Sequence, residues 1–473
     1  MAKIAFIQDT LFDYFGPMSL SAVLKEQGHQ VEIFILKEEK KIISSIKKLN
    51  PDLIAFSVVS GFHKWNLRAA QQLKRYFSVP FIFGGPHPTF FRDVINEEAV
   101  DMICIGEGEV PMLELANRID KNEDYSDIEG LWVKKEGQII KNPLGNLVED
   151  LDSFPFPDRE LYYSKFPFLR GLVTKRFATS RGCPYNCSFC YNHAKRLLYK
   201  GKGKYVRRMS PARIIEEIKS VQEKYPLEVV RFIDDNFTVD KRWLMELLDL
   251  YHQEIGLPFT CLGRANELNE EVVKKLSWAG CDCITFGLET ANENMRNLLL
   301  RKALKNESII EGVELLRKYK IKVGTYNMIG LPGETIEEAI ETMKFNAKIK
   351  TDYTLPCIFQ PYPKTDLAEY CVENGYIGKE FNVDVIPSLF DSSLLKSEYA
   401  DQFANLQKFF SLGAKYPSTI PLIRKLIKLK PNRIFYVVGV VSYGIRSLSS
   451  FKIGLINGMK MGFNMLKNQM RRN

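Results

Sequence analysis

The segment RGCPYNCSFCYNH, residues 181–193, places three cysteines at the spacing C-x3-C-x2-C, at Cys183, Cys187 and Cys190. It directly follows the strand-like run FATS (177–180), which opens a series of strand-like runs in the middle of the chain. In parallel α/β proteins, the loops at the carboxyl ends of the strands carry the chemistry. The segment is therefore predicted to be a reactive loop after the first strand of a barrel-like domain.

Five further strand-like runs follow, with helical patterns between them. One pattern, SPARIIEEIKSVQEKY, begins at Ser210, a good N-cap residue, and has Pro211 at the first helical position. Repeated strand-helix units of this length predict a barrel-like α/β domain, closed or partial. The five runs are VVRFID (229–234), FTCLG (259–263), CITFGLE (283–289), VGTYNMIG (323–330) and YTLPCIF (353–359).

The first 120 residues also alternate strand-like runs with gaps that leave room for one helix each. Helical crossovers between buried apolar strands predict a parallel, doubly wound sheet with its ligand site at the carboxyl ends of the strands. The runs are KIAFI (3–7), VEIFIL (31–36), LIAFSVV (53–59), FIFGG (81–85) and MICIG (102–106).

Small residues cluster after the last three of these N-terminal runs, in the segments GGPHPT (84–89) and GEGE (106–109) among others. Glycine lets a ligand approach the backbone closely, so these loops are the predicted binding edge. The alternative is that the glycines only make tight strand-to-helix turns. The candidate binding residues are Ser57, Ser60, Gly84, Gly85, Gly106, Glu107 and Gly108.

The composition describes a globular protein of 473 residues, of which 45% are hydrophobic. No run of eighteen apolar residues and no signal-peptide pattern is present, so the expected compartment is the cytoplasm. Nine cysteines in a chain of this length are too few and too scattered for a disulfide framework. A tight cysteine cluster is better explained by metal binding or catalysis.

The positive charge of the chain lies at its C-terminal end. The net charge is +9, but residues 402–473 hold thirteen Lys and Arg and no acid, so residues 1–401 carry +9 minus +13, which is −4. Apolar residues alternate with these cations, and the run IFYVVGVV is too short to span a bilayer. The pattern favours peripheral contact with an anionic membrane face over nucleic-acid binding, with a solvated helical subdomain as the alternative.

The cysteine spacing alone leaves three interpretations open. Three thiolates can hold three irons of a cubane cluster and leave the fourth iron open to a ligand. His193 lies three residues beyond Cys190, so a Cys3His zinc site is a second option. The third is that the cysteines are merely buried small hydrophobic residues, although a loop with Gly182 and Pro184 disfavours it.

The cysteine loop resembles the signature of radical S-adenosylmethionine enzymes, including the aromatic Phe189 before the third cysteine. Segments at later strand ends are similar to the adenosylmethionine-binding elements of that family. The resemblance implies a [4Fe-4S] cluster and a partial (β/α)6 barrel that generates a 5′-deoxyadenosyl radical. The similar segments are FIDDNF (232–237), GRAN (263–266), GLET (287–290), GLPGET (330–335) and QPYPKTDL (360–367).

The same resemblance assigns roles to particular residues. Cys183, Cys187 and Cys190 would bind iron, and the backbone near Tyr191 would meet the adenine. Arg264 and Glu289 would position the polar groups of adenosylmethionine; the alternative is that each only pairs with a neighbouring charge. The turn from Gly330 through Pro332 to Gly333 would pack against the adenosine, and Phe189 belongs to the same binding loop.

The N-terminal segments GPMSLSAVLKEQGHQV, GGPHPT and GEGE resemble the cobalamin-binding domain fused to one branch of this family. The loop after the first strand reads QDTLFDYFG, so it lacks the D-x-H-x-x-G motif that supplies a histidine to cobalt. The resemblance therefore implies cobalamin bound without that histidine, or a retained fold that serves another purpose.

These observations predict a radical enzyme that acts at an unactivated carbon, by cobalamin-dependent methylation of a hydrophobic or lipid-like substrate. The alternatives are cobalamin-independent rearrangement, ring formation or coupling, and, in another class, a zinc-stabilised membrane-associated binding protein. The expected electron donor is a ferredoxin or a flavodoxin. The predicted regions are a cobalamin-binding-like domain (1–125), a hairpin and linker (126–168), the radical core (169–375) and a mostly helical, basic C-terminal region (376–473).

Overall fold

A computed structural model of the chain describes residues 1–39, 41–386, 392–439 and 441. The chain forms two compact units. The first comprises Met1–Gly171 together with Tyr199–Tyr205, and the second comprises Leu172–Leu198 together with the described residues from Val206 onward.

A seven-stranded sheet forms the centre of the first unit, in the order β2-β1-β3-β4-β5-β6-β7. The first five strands are parallel, as predicted, and β6 and β7 add an antiparallel hairpin at one edge. Residues 53–56 of β3 are all buried because helices cover both faces of a parallel sheet. The strands are β1 (Lys3–Gln8), β2 (Gln30–Ile35), β3 (Leu53–Ser57), β4 (Phe81–Gly84), β5 (Met102–Cys104), β6 (Leu131–Lys135) and β7 (Gln138–Lys141).

The helices of the first unit connect these strands and follow the hairpin. They are α1 (Phe15–Glu26), α2 (Ile42–Leu49), α3 (His63–Lys74), α4 (Pro86–Phe90), α5 (Glu109–Lys121), α6 (Glu160–Tyr163) and α7 (Pro167–Arg170). The short helix α4 begins right after Gly85, whose φ of 95° favours glycine.

The second unit contains a six-stranded parallel sheet in the order β15-β14-β13-β12-β11-β8. Each strand pairs with its predecessor in this series, as the predicted partial barrel requires. A short antiparallel pair, β9 with β10, lies beside it. The strands are β8 (Thr174–Phe177), β9 (Ser180–Arg181), β10 (Arg207–Arg208), β11 (Val229–Phe232), β12 (Phe259–Gly263), β13 (Cys281–Glu289), β14 (Lys322–Ile329) and β15 (Tyr353–Ile358).

The sequence misplaced the first barrel strand. FATS (177–180) was the predicted strand, whereas β8 covers Thr174–Phe177 and residues 178–179 belong to the following loop. The segment TKRF does not have an apolar sequence, yet Lys175 is only 2% exposed. Hydrophobic patterning cannot detect a strand that buries a lysine, because the pattern counts lysine as a surface residue.

The helices of the second unit follow the strands, and α15 packs against β15, α13 and α16. Helices α15 and α13 share a core with the end of β14 that includes Ile329, Ile340, Met343, Phe410 and Ile423. The helices are α8 (Tyr191–Leu198), α9 (Pro211–Lys224), α10 (Lys241–Glu254), α11 (Glu270–Trp278), α12 (Asn306–Lys318), α13 (Ile336–Lys348), α14 (Asp366–Glu373), α15 (Ala400–Lys415) and α16 (Ile420–Leu426).

The predicted helical, basic C-terminal region is described only in part. Helices α15 and α16 belong to it, while residues 442–473 lie outside the described residues. In the part of the chain that the structure covers, no helix is both long enough and apolar enough to cross a bilayer.

Candidate active site

The cysteine loop leaves the barrel edge after β9 and runs into α8. Gly182 has a φ of 85°, a conformation that suits glycine, and it starts the loop. The Cys190 N–H donates to the Cys187 carbonyl at 3.1 Å, and the His193 N–H donates to the Cys190 carbonyl at 3.2 Å. The last turn of the loop therefore continues directly into the helix.

The three loop cysteines have free thiols that lie close enough to influence one another. Cys187 is buried, while Cys183 and Cys190 are half-buried. Burial, with smaller contributions from the neighbouring Cys187, Asp235 and Cys183, raises the pKa of Cys190 to about 11. Burial also raises the pKa of Cys183. The loop thus carries three soft ligands, and Asp235, which follows β11, is near enough to two of them to affect their pKa.

Arg264, at the end of β12, is tied to the cysteine loop. Its guanidinium carbon lies 3.6 Å from the centroid of the Tyr185 ring, and the Tyr185 hydroxyl donates to the Glu267 carboxylate at 2.5 Å. Arg264 also donates to the carbonyl of Lys302. A cation-π contact this close, on a guanidinium that is 7% exposed, holds the tyrosine within the loop in place.

Glu289 forms a buried ion pair at the end of β13. Its Oε1 accepts from Lys302 Nζ at 2.8 Å, and both side chains are at most 8% exposed. Glu289 has a φ of 64°, an unfavourable value for a residue with a side chain. The space at Gly287 receives this pair, because a Cβ there would lie 2.5 Å from Lys302 Nζ. Glu289 is therefore paired with a neighbouring charge, and its role toward adenosylmethionine stays a prediction.

The turn after β14 has glycines at positive φ. Gly330 has a φ of 73° and Gly333 has a φ of 77°, on either side of the buried Pro332. Glu334 stabilises this turn, since its Oε2 accepts from the Gly330 N–H at 2.6 Å and from the Leu331 N–H at 3.1 Å. Burial raises the pKa of Glu334 to about 8, and those two N–H donors partly counteract it.

Tyr191 and Phe189 occupy different surroundings although they are two residues apart. The Tyr191 hydroxyl donates to the Pro363 carbonyl at 3.1 Å, and its ring lies 5.9 Å from that of Tyr362. Phe189 packs against the core cluster that contains Leu300. Tyr191, at the start of α8, therefore contacts the segment after β15, whereas Phe189 packs into a hydrophobic core.

At the predicted N-terminal edge, hydrogen bonds from two side chains connect neighbouring turns of the backbone. The Thr89 hydroxyl donates to the Gly85 carbonyl at 2.8 Å and accepts from the Gly106 N–H at 2.9 Å. The Glu107 N–H donates to the Tyr199 hydroxyl at 2.7 Å. The loops after β4 and β5 are thereby joined within the first unit.

The remaining predicted residues of this edge also lie close to it. A Cβ on Gly85 would lie 3.6 Å from Ser57 Oγ, and one on Gly84 would lie 3.7 Å from the Cys104 Cβ. Gly108 is close to Cys104 as well, with its nearest neighbour being Leu20. The structure thus brings the loops after β3, β4 and β5 together.

The three histidines of the N-terminal sheet are engaged within the protein. His63 and His87 stack with ring centroids 4.2 Å apart, and Ser60 Oγ lies 3.2 Å from His87 Nδ1. His29 accepts from the Ala2 N–H at 3.2 Å and lies 3.0 Å from the Asn117 side chain. The loop after β1, where a cobalt-binding histidine is expected, contains none.

Comparison with known proteins now decides the family. Residues 177–345 match the Radical SAM superfamily, and residues 14–116 match the B12 binding domain. An uncharacterised methyltransferase of Pyrococcus horikoshii is 30% identical over 370 residues, which cover 76% of this chain and 79% of the relative. The chain belongs to the B12-binding branch of the radical S-adenosylmethionine superfamily.

Two further relatives of this radical S-adenosylmethionine enzyme differ in their named activities. The anaerobic magnesium-protoporphyrin IX monomethyl ester cyclase of Rubrivivax gelatinosus is 24% identical and covers 90% of this chain and 80% of its own length. A radical S-adenosylmethionine methyltransferase of Kitasatospora setae, solved with cobalamin and a [4Fe-4S] cluster, has a TM-score of 0.65 at 15% identity. That solved likeness covers 90% of this chain and 98% of the other, and it supports the fold.

The donor set fits the iron-sulfur cluster of the superfamily. Three free thiols on one loop supply ligands for three irons and leave the fourth iron open. His193 Nε2 lies 3.4 Å from Asp366 Oδ2. The match to the Radical SAM superfamily favours the cluster over the zinc alternative.

Several site residues of this radical S-adenosylmethionine enzyme escaped the sequence analysis. Tyr185 lies inside the quoted cysteine segment, and Lys302 lies thirteen residues beyond Glu289. Glu334 was part of the quoted GLPGET segment without a role of its own. No sequence pattern marks these residues, because each acts through a tertiary contact. Partners in such contacts have no fixed spacing in the sequence.

Proposed function

We propose that this chain is a cobalamin-dependent methyltransferase that methylates an unactivated carbon of a hydrophobic or lipid-like small molecule. The observation that carries the proposal is the pairing, in one chain, of a three-cysteine loop at a barrel edge with a B12-binding domain. The 30% identical relative that spans 76% of this chain carries the name methyltransferase. Family membership supports the enzyme class, and the choice of methylation rests on these two observations.

Each part of the site has a proposed task. Cys183, Cys187 and Cys190 hold the cluster, which supplies the electron that cleaves adenosylmethionine when both are bound. The turn at Gly330 and the backbone near Tyr191 bind the nucleoside, where close packing excludes water.

Arg264 and Glu289 position the polar groups of adenosylmethionine in this proposal. Each side chain is fixed by a protein partner, Tyr185 and Lys302 respectively. The glycine edge of the first unit binds cobalamin through backbone contacts, without a histidine from the loop after β1. Ser57, Gly84 and Gly108 line that edge.

The substrate and partners are proposed from surface chemistry. On and beyond α16, Leu422, Leu429 and Ile434 are 54–74% exposed, and Lys425 and Lys428 are exposed beside them. Such a mixture suits an anionic lipid surface and a lipid-like substrate. A ferredoxin or flavodoxin supplies the electron.

The surface proposal has a direct test with lipid vesicles. Co-sedimentation with vesicles that contain phosphatidylglycerol is expected to exceed that with phosphatidylcholine alone. The Lys425→Gln/Lys428→Gln variant should lose about tenfold or more of this binding, because each cation near an anionic surface contributes about 1 kcal/mol. Equal sedimentation on the two vesicle types would exclude the membrane contact.

Ring formation or rearrangement on the same scaffold is the second candidate. It is favoured by the cyclase relative, which covers 90% of this chain at 24% identity. A cyclase and a methyltransferase would share the cluster and the barrel, so only their products distinguish them.

Product analysis after anaerobic reconstitution tests the proposal. The full chain is loaded with iron, sulfide and cobalamin and given adenosylmethionine, a reductant and hydrophobic candidate substrates. Methylation predicts both 5′-deoxyadenosine and S-adenosylhomocysteine, plus a product in which a methyl group has replaced one hydrogen of the substrate. If only 5′-deoxyadenosine forms, the second candidate is correct; if neither forms, both are wrong.

A further inference from the structure

The segment between β13 and α12, residues 290–306, is organised around one fully buried arginine. Arg296 lies in a π-helical turn, Met295–Leu299, and is 0% exposed. Its guanidinium donates to the Leu304 carbonyl at 2.9 Å, to the Thr290 carbonyl at 2.6 Å and to Asn306 Oδ1 at 2.6 Å. Because this buried guanidinium bonds to residues near both ends of the segment, it restrains the conformation of the backbone between them.

Further hydrogen bonds close the same segment on itself. The Leu304 N–H donates to Asn297 Oδ1 at 2.8 Å, and Asn306 donates from its side chain to the Ala291 carbonyl at 3.1 Å. The Lys302 N–H donates to the Arg296 carbonyl at 3.1 Å. The segment is therefore a compact, internally bonded piece. We refer to residues 290–306 as the bracket.

The bracket meets the cysteine loop at Ser188, between the second and third cysteines. The Ser188 N–H donates to the Leu300 carbonyl at 3.1 Å, and its hydroxyl donates to the Leu299 carbonyl at 2.6 Å. The Ser188 carbonyl accepts from the Leu367 N–H at 2.9 Å. Ser188 is 3% exposed, so all three polar groups of this residue are satisfied away from water.

A second connection reaches the loop between its first and second cysteines. The Lys302 carbonyl of the bracket accepts from Arg264, whose guanidinium lies over the Tyr185 ring. The Lys302 side chain is fixed in turn by Glu289. The loop is thus held on both sides of Cys187.

We propose that the bracket is a positioning device that holds the cysteine loop in cluster-binding geometry, with Arg296 as its internal pin. Arg296 is fully buried inside the bracket and acts through Ser188 and, by way of Lys302 and Arg264, through Tyr185. The inference rests on the proposed function, because it requires the three cysteines to bind the cluster. Partners behind metal ligands orient those ligands, and losing one weakens metal binding by about 10- to 100-fold.

The test is the rate at which the reconstituted full chain loses its cluster to an iron chelator under anaerobic conditions. Arg296→Gln and Ser188→Ala are both expected to accelerate the loss, by about tenfold or more for the arginine. Arg296→Lys should fall between Arg296→Gln and the unaltered protein, because lysine restores a charge without the planar fork. Leu298→Ser, in the same turn and at a side chain 79% exposed, is the matched control and should not differ from the unaltered protein.

A spectroscopic measurement separates positioning from general stability. The electron paramagnetic resonance signal of the reduced cluster, with and without adenosylmethionine, should shift in Ser188→Ala while circular dichroism stays unchanged. If Arg296→Gln fails to fold, Ser188→Ala decides the question alone.

Failure of the inference can be told apart from failure of the proposed function. If Cys187→Ala retains its iron, the cluster assignment itself is wrong. If Cys187→Ala loses its iron while Ser188→Ala and Arg296→Gln match the unaltered protein in cluster loss and in spectrum, only the bracket is overturned.

Discussion

The proposed ligand-binding edges of the two sheets are built from different kinds of residue. The edge of the N-terminal sheet consists of glycine turns and hydroxyl groups, such as Gly85 and Gly106 bridged by Thr89. The edge of the barrel consists of buried charges and aromatic rings, such as Glu289 with Lys302 and Arg264 with Tyr185. Glycine turns leave room for a large ligand beside the backbone, whereas buried charges and aromatic rings fix the position of a reactive loop.

The largest expected effect comes from removing a cluster ligand in the barrel. Cys187→Ala should abolish the iron-sulfur absorption and lower adenosylmethionine cleavage by at least about a thousandfold, because the members of an essential catalytic unit do not substitute for one another. Cys371→Ala, a buried thiol in a core cluster, is the control and should retain both. Iron content and 5′-deoxyadenosine release measure the difference. Cleavage that survives in Cys187→Ala would place the cluster elsewhere.

Breaking the buried ion pair should be the next largest effect. Lys302→Met leaves the Glu289 carboxylate unpaired in the interior, and the free energy of unfolding should fall by about 3–5 kcal/mol. Glu289→Gln/Lys302→Met should recover much of that loss, since neither charge remains. Urea denaturation of the apoprotein measures both, with the exposed neighbour variant Arg301→Met as control. A harmless Lys302→Met would mean that Glu289 is not held by this lysine.

The Glu334 carboxyl should make the barrel unit less stable as pH rises. Burial raises its pKa from 4.5 to about 8, so its contribution is fully present below about pH 4.5 and is lost as pH rises through about 8. Unfolding midpoints between pH 5 and 8.5 should therefore fall more in the unaltered protein than in Glu334→Gln. Glu337→Gln, three residues along the chain, is the control. Identical pH profiles for the unaltered protein and Glu334→Gln would refute a neutral Glu334.

The smallest effect is expected at the glycine edge. Gly106→Ala places a Cβ against the Tyr199 hydroxyl and should cost about 1–3 kcal/mol of unfolding free energy and reduce cobalamin retention. Gly137 has a similar positive φ, 77° against 82° at Gly106, and no neighbour within 4 Å, so Gly137→Ala should cost only the backbone strain, about 1–2 kcal/mol, and keep cobalamin. Thermal unfolding and the cobalamin absorption spectrum compare the two. Equal cobalamin retention would remove Gly106 from the binding edge.

The same contrast explains what the sequence could predict. Glycines after strands and cysteines at fixed spacing are local signals, and the sequence predicts both edges from them. The partners of Glu289 and Arg264 could not be predicted, because Lys302 and Tyr185 meet them only in the folded barrel. Strand β8 was misplaced for a related reason: Lys175 is buried in it, and hydrophobic patterning assigns lysine to the surface.

The central claim is that one chain carries a cysteine-held cluster and a separate glycine-edged cobalamin site. Elemental analysis of the anaerobically reconstituted protein tests it most directly. The account predicts about four irons and about one cobalt per chain, with Cys187→Ala losing iron but not cobalt and Gly106→Ala holding less cobalt with its iron unchanged. Zinc in place of iron, or no cobalt under any reconstitution, would contradict it.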